Sequence, residues 1–373
     1  MNPRLRAIEP STIRALAAKK TPAHIDLGLG EPTLMPEPHF FEAATRWALV
    51  NGTKYTLNAG DVATRERIAA HYAYPSMGEA RNVCMTTGSQ EAVYVTIKTM
   101  LDPAVDEMLV VEPAFPAYVK IAQLEGITAR TVEMREDDDF RYDVDAILAA
   151  LTPRTRLIVI GSPANPTGRV LREADAVRLA RALGERAGEP VWVLHDEVYR
   201  ELTYIDDPGY MATHYPHTIV TNSLSKSNAL TGMRIGWVLG PAAAVEEITK
   251  THAWVTSAAS AFGQRMCYEV FGETGALTAQ LAWYRTQREG VLAALAAAGL
   301  RYVDIDGAFY VCVRLPGGGD SLAAAHQLAD HHDVIAIPGR TFGASLEGWL
   351  RCSWVAPLDD VAEGLRRIAA LPS

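Results

Sequence analysis

Six short runs rich in Val, Ile and Leu, at residues 82–86, 108–111, 157–161, 191–194, 219–222 and 235–239, alternate with helical patterns along this chain. Each is closed by Gly, Pro, Asp, Asn or Ser. Runs so short and so continuously apolar read as strands buried on both faces. Strands separated by helices need crossover connections, which build a largely parallel sheet. The expected fold class is therefore α/β. Polar residues collect where the strands end, and open α/β sheets bind ligands beyond the carboxyl ends of their strands.

Residues 276–300 are rich in Ala and Leu, lack an internal Pro and read as one long helix, in which Gly290 costs only about 1 kcal/mol against Ala. Beyond them, strand patterns at 308–314 and 350–355 flank a helical stretch at 322–331, so the C-terminal portion reads as a smaller α+β lobe. A chain of 373 residues, 49% of them hydrophobic, can fill more than one core, and two lobes are expected.

The formal charge of -9 is spread along the chain, and its only dense acidic run, 136–139, is flanked by Arg135 and Arg141. That run reads as a solvated turn, and no basic patch invites nucleic acid. Cys84, Cys267, Cys312 and Cys352 have no metal-ligand spacing and read as reduced structural thiols, so no metal site is expected. The chain meets Glu9 and Pro10 before any apolar run long enough for a signal peptide or a membrane span. No membrane partner is expected, and the expected address is cytoplasmic.

Chemistry gathers at the strand ends. Ser223-Leu224-Ser225-Lys226 follows the run at 219–222, with Gly232, Met233 and Arg234 soon after. A lysine in a small-residue loop at a strand end can be partly desolvated, which lowers its pKa from about 10.4 and makes the amine a nucleophile. A lone loop lysine is ordinarily solvated; its company here argues otherwise. The run at 191–194 leads into His195-Asp196-Glu197-Val198-Tyr199, which delivers a carboxylate and a phenol. A buried aspartate can keep a pyridinium nitrogen protonated, and a tyrosine hydroxyl can donate to the ring's phenolate oxygen. Taken alone, Asp196 would be read as a helix N-cap.

Ser162-Pro163-Ala164-Asn165-Pro166-Thr167-Gly168 follows the run at 157–161, and its prolines fix the backbone so that Asn165 is presented. By itself this string is a common turn. Thr86-Thr87-Gly88-Ser89-Gln90-Glu91-Ala92 opens the helical pattern at 92–101. Free amides at a helix N-terminus, with close approach at Gly88 and a hydroxyl at Ser89, make a phosphate cradle. A plain N-cap is the competing reading and is compatible with it. Arg234 can add a charge-assisted contact to the same phosphate.

Together these segments resemble the class I/II, fold-type I, aspartate-aminotransferase-like family of pyridoxal-phosphate (PLP) enzymes, over nearly the whole chain from about Ile8 onward. The resemblance implies a large PLP-binding domain at 36–282, with a mostly parallel sheet sandwiched by helices, and a discontinuous small α+β domain at 1–35 and 283–373. It implies a Schiff base between Lys226 and the cofactor, Asp196 and Tyr199 on the ring, and Gly88, Ser89, Gln90, Asn165, Ser223, Ser225 and Arg234 in the cofactor site.

Ile25-Asp26-Leu27-Gly28-Leu29-Gly30-Glu31-Pro32 resembles the family's entry loop. Tyr55, in Lys54-Tyr55-Thr56, matches the tyrosine that reaches the cofactor phosphate of the neighbouring subunit, which implies a homodimer with shared sites. Glu112-Pro113-Ala114-Phe115-Pro116-Ala117-Tyr118 is similar to the loop whose aromatic residue stacks on the pyridine ring, here Phe115. The C-terminal segment around Arg340 and Arg351 resembles the part of the family that grips the substrate α-carboxylate. Arg351, inside a strand, is the better match, with Asn165 and the Gly30 backbone completing the grip. The chain departs from the family pattern at Thr64-Arg65 and at His195, which weakens any transfer of substrate specificity.

The implied reaction moves an amino group from an L-amino acid to a 2-oxo acid in two ping-pong halves, with Lys226 as the proton carrier. A carbon–sulfur β-lyase or another fold-type I chemistry would share Lys226, Asp196 and Arg351; such a lyase releases ammonia and pyruvate without an amino acceptor. A PLP-binding regulatory module would need a basic helix-turn-helix ahead of the fold, and motifs beginning at Gly28 leave no room for one. Gln90 stands where some relatives place a lysine, which favours neutral or aromatic amino acids over dicarboxylates.

Overall fold

The first strand of the computed structural model, which describes residues 3–6, 8–273, 275 and 277–372, is β1 (Ile25–Asp26). The large sheet then uses β2 (Val83–Thr86), β3 (Glu107–Glu112), β4 (Thr128–Glu133), β5 (Thr155–Gly161), β6 (Trp192–Asp196), β7 (Thr218–Ser223) and β8 (Gly236–Leu239). Their order is β2-β8-β7-β6-β5-β3-β4. Strands β4, β3, β5, β6 and β7 run parallel, whereas β8 is antiparallel to both β7 and β2.

Ile158 and Ile160 of β5 enter one core, and Leu157 and Val159 enter the other. Because alternate side chains point to opposite faces and both faces are covered, the strand reads as one unbroken apolar run. Helices Ser89–Met100, Ala117–Glu125 and Ala242–Val255 cover the face of Leu157 and Val159 through Val93, Ile121 and Ile248. Helix Glu173–Gly184 lies on the other through Leu179 and Leu183.

All six expected strands are present, with ends displaced by no more than two residues. The apolar pattern missed β4, whose sequence TARTVE is largely exposed. It sits at the sheet edge, where polar side chains blunt unwanted pairing.

In the C-terminal portion, β9 (Tyr310–Arg314), β10 (Val334–Ile335), β11 (Ile337–Pro338) and β12 (Trp349–Ser353) replace the longer runs expected at 308–314 and 350–355. Strands β11, β12 and β9 form an antiparallel sheet, while β10 pairs in parallel with β1 and ties the N-terminal segment to this portion. The long helix runs Thr278–Ala298 and stops at Gly299, which takes a left-handed conformation at φ 65. Ala276, in its expected first turn, lies outside the described residues. Helix Ser321–His331 matches the stretch expected at 322–331. One apolar cluster runs from Ile158 and Val193 through Tyr284 and Leu295 to Val311 and Leu350, so the two portions share a continuous core.

Among the described residues no helix is long and apolar enough to cross a membrane, and no His/Cys/Asp/Glu group is arranged to hold a metal ion. All four cysteines are free and buried. In the parallel part of the sheet the chain passes from β3 outward to β4 and then back to β5 on the other side. That reversal opens a crevice beyond the carboxyl ends of β3 and β5.

Candidate active site

A cavity of about 1110 Å³ lies in that crevice, and Lys226 projects into it. After β7 the chain turns through buried Leu224 and Ser225, whose N–H donates to Ser223 Oγ at 3.3 Å. Tyr284, on helix Thr278–Ala298, donates its hydroxyl to the Lys226 carbonyl at 3.1 Å. The side chain is then aimed at the entry loop, where Nζ donates to the Gly30 carbonyl at 2.6 Å. Burial holds this amine below the ordinary lysine range; Tyr310 opposes the shift and Arg351 reinforces it.

Asp196 ends β6 on the face that also carries Leu194. Its Oδ2 accepts from Tyr118 Oη at 2.7 Å and its Oδ1 from Thr221 Oγ1 at 3.1 Å. Burial raises its pKa, and those two hydrogen bonds pull the other way. A cationic N–H in the cavity would recover part of the desolvation cost. Tyr199, also buried, has its Oη 2.9 Å from Tyr310 Oη, and burial together with Tyr310 pushes its phenol pKa up.

Gly88, at φ 78, precedes helix Ser89–Met100. A Cβ on Gly88 would stand 2.5 Å from Arg234 Nη2, and one on Gly236 2.6 Å from the Ser89 nitrogen. Only glycine lets backbone and guanidinium converge here, at a helix N-terminus whose amides attract anions. Ser89, Gln90, Ser225 and Arg234 face the cavity. Phe115, carried by the loop after β3, lines the same wall and meets Tyr118 edge-on, with ring centroids 5.9 Å apart.

Arg351 on β12 is 2% exposed and donates from Nη1 to Asn165 Oδ1 at 3.1 Å and from Nη2 to the Gly28 carbonyl. Its Nε is buried without a partner, a situation that costs about 1–3 kcal/mol until an acceptor such as a carboxylate arrives. Arg340 instead lies at the rim, paired with Glu347 at 3.4 Å and Asp320 at 3.7 Å. The entry-loop carbonyl beside Arg351 belongs to Gly28; that of Gly30 is taken by Lys226.

Two expected residues lie apart from this cluster. Ser223 is buried beneath the lysine loop, and Tyr55 is 91% exposed. Conversely, Tyr118, Thr221, Tyr284 and Tyr310 are in the cluster without having been singled out. Tyr118 sits one helical turn past Phe115, a spacing visible in the sequence. Thr221 is opposite Asp196 only by strand register, and Tyr310 reads as core within an apolar strand.

An amine, a buried carboxylate, a phenol, an aromatic face and an anion-binding helix end fit a flat heteroaromatic ring bearing an aldehyde and a phosphate. The residues present therefore suit PLP by their donor chemistry.

The family model described as "Aminotransferase class I and II" matches residues 22–368. An aspartate aminotransferase of Pyrococcus horikoshii is 32% identical to this chain over 98% of it and 95% of its own length. A probable N-acetyl-LL-diaminopimelate aminotransferase of Bacillus subtilis is 34% identical over 99% and 94%. The solved structure of Thermus thermophilus aspartate aminotransferase with maleate superposes with a TM-score of 0.90 at 29% identity, covering 99% of this chain and 98% of that one. With its fold and sequence both matched over nearly the whole chain, the chain belongs to the class I and II aminotransferases, enzymes of amino-group transfer on the fold-type I scaffold.

Proposed function

We propose that the enzyme uses PLP bound to Lys226 to move the amino group of an L-amino acid to a 2-oxo acid by a ping-pong route. The observation that carries this reading is the convergence of Lys226, Asp196, Tyr199, Ser89, Arg234 and Arg351 on one cavity. Bound PLP supplies an aldehyde carbon for the lysine and a ring that draws electrons from the substrate's Cα.

The chain's own residues do the rest. With PLP bound, Asp196 would hold a proton on the ring nitrogen, Tyr199 would donate to the ring oxygen and Phe115 would supply an aromatic surface for the ring. The Gly88, Ser89 and Gln90 segment, Ser225 and Arg234 hold the phosphate, and Ser223 braces Ser225. Arg351 and Asn165 orient the substrate carboxylate. Lys226 carries the proton from Cα. Its lowered pKa leaves the free amine neutral more often near pH 7, and its fixed position gives it a high effective concentration.

The large unit is taken as 36–282 and the small one as 1–35 with 283–373, a division supported by the pairing of β1 with β10. Four buried free cysteines fit a reducing, cytoplasmic address. Exposed Leu49, Val50, Tyr55 and Trp254 support a homodimer. Uncharged Gln90 on the cavity wall supports a neutral or aromatic amino donor.

Lys226→Ala protein should bind no cofactor that borohydride can fix to the chain and should turn over negligibly. Borohydride labelling at the wild-type level would mean that another lysine carries the chemistry. A panel of amino donors against 2-oxoglutarate and pyruvate identifies the substrate. Release of ammonia and pyruvate without an acceptor would mark a lyase instead.

A further inference from the structure

Tyr310 touches more of the cavity's working parts than any role assigned so far explains. It projects from β9, is 2% exposed, and its Oη lies 2.9 Å from Tyr199 Oη. The Arg351 guanidinium stands over its ring at 4.4 Å. A Cβ on Gly30 would lie 1.7 Å from the Tyr310 hydroxyl, so the entry loop can bring its carbonyl to Lys226 only with glycine at that position.

Each phenol has one proton to donate. Among the described residues, the Tyr310 hydroxyl has Tyr199 as its hydrogen-bond partner, and the cation over its ring strengthens it as a donor. The distance is the same whichever hydroxyl donates, and the guanidinium over the Tyr310 ring favours Tyr310 as donor and Tyr199 as acceptor. The proton of Tyr199 is left for a group in the cavity, and its direction is set by the bond it accepts.

We propose that Tyr310 is a positioning residue whose hydroxyl, by donating to Tyr199, aims the Tyr199 proton at the ring oxygen of bound PLP. This rests on the PLP reading given above. A donor at the ring oxygen draws off negative charge and lowers the proton affinity of the Lys226 nitrogen joined to the cofactor beside it. Hydrogen bonds in a chain reinforce one another, so losing the first weakens the second. The titratable and charged groups that face Lys226 are Tyr310, Arg351, Glu31 and Arg234, and those that face Tyr199 are Tyr310, Arg351 and Asp196. Of these, the variants below alter only the two phenols.

The test is a spectrophotometric pH titration of the holoenzyme, following the visible band of the lysine-bound cofactor. Tyr310→Phe should raise the midpoint by on the order of half a pH unit. Tyr199→Phe should raise it further, and adding Tyr310→Phe to Tyr199→Phe should change nothing more. Tyr310→Met, which fills the volume without a hydroxyl, should shift the midpoint in the same direction and decides the matter if the Phe protein fails to fold. An unmoved midpoint in the single variants overturns the proposal. So does an equal upward shift in the Tyr199→Phe background, because Tyr310 would then act independently of Tyr199. Failure of the underlying PLP reading looks different: the wild type would show no band that Lys226→Ala abolishes.

Discussion

At Asp196, burial and hydrogen bonding pull in opposite directions, and the balance sets what the residue can do. Burial disfavours the charge, while Tyr118 and Thr221 each donate to it. A protonated ring nitrogen as third partner would leave the carboxylate ionised and make it the ring's counter-charge. Asp196→Asn keeps the size, and its one carbonyl oxygen can accept from Tyr118 or Thr221 while its NH2 donates to the other hydroxyl, so folding should survive while the charge is lost. The expected loss is on the order of 3 kcal/mol, at least a hundredfold in kcat, with Glu tolerated better than Asn. Wild-type turnover in Asp196→Asn would show that something else holds the ring nitrogen.

Helix Ser89–Met100 begins after a glycine and has no side-chain N-cap. Its first turn is organised by Glu91, which accepts from the Thr87 N–H at 2.5 Å, Thr256 Oγ1 at 2.5 Å and His252 Nδ1 at 2.8 Å. The last two come from the end of helix Ala242–Val255, so a second helix holds the cradle in shape. Burial pushes the Glu91 pKa up, but the bonds from His252, Thr256 and Thr87 outweigh it and hold the carboxyl below its usual range. The depressed value means that this stabilisation is complete above the ordinary carboxylate pKa and fades as pH falls through the lower, folded-state value. Glu91→Ala strands a backbone donor and a buried imidazole, costing about 1–3 kcal/mol. PLP titrated into apoprotein at neutral pH should then bind about tenfold more weakly or worse, with Glu91→Gln intermediate. Unchanged affinity in Glu91→Ala would remove Glu91 from the cradle. In the sequence Glu91 stands just ahead of the helical pattern at 92–101 with nothing to single it out; its partners 161 and 165 positions away were out of reach.

For the whole molecule, the proposed homodimer turns on Tyr55. Its loop is tied back to its own subunit by Asn58 Nδ2, which donates to the Ser257 carbonyl at 2.7 Å, while Tyr55 itself is 91% exposed. Nearby apolar exposure at Leu49, Val50 and Leu57 is what an unpaired interface presents. If Tyr55 completes the neighbour's site, a heterodimer of Tyr55→Ala and Lys226→Ala subunits gathers both lesions in one site and leaves the other whole. Activity should climb towards half of wild type per heterodimer after subunit exchange, provided Tyr55→Ala alone is sufficiently impaired. Absence of recovery, with exchange verified by mass, would assign Tyr55 to its own subunit.

The strand pattern, the lysine at a strand end, the Asp-x-x-Tyr pair and the glycine ahead of a helix could all be read from the sequence. Each depends on residues within a few positions of one another, where backbone sterics and apolar periodicity act directly. The reversed direction of β8, the pairing of β1 with β10, and the Gly28 carbonyl as a partner of Arg351 could not. Nor could the partners that tune the site: Thr221 and Tyr118 on Asp196, and Tyr310 on Tyr199, join residues 25, 78 and 111 positions apart. Such contacts are fixed by strand register and by the side of the sheet on which each crossover packs. An apolar run carries no mark of its neighbour's register, so a tyrosine within one looks like core until tertiary packing sets its hydroxyl against another.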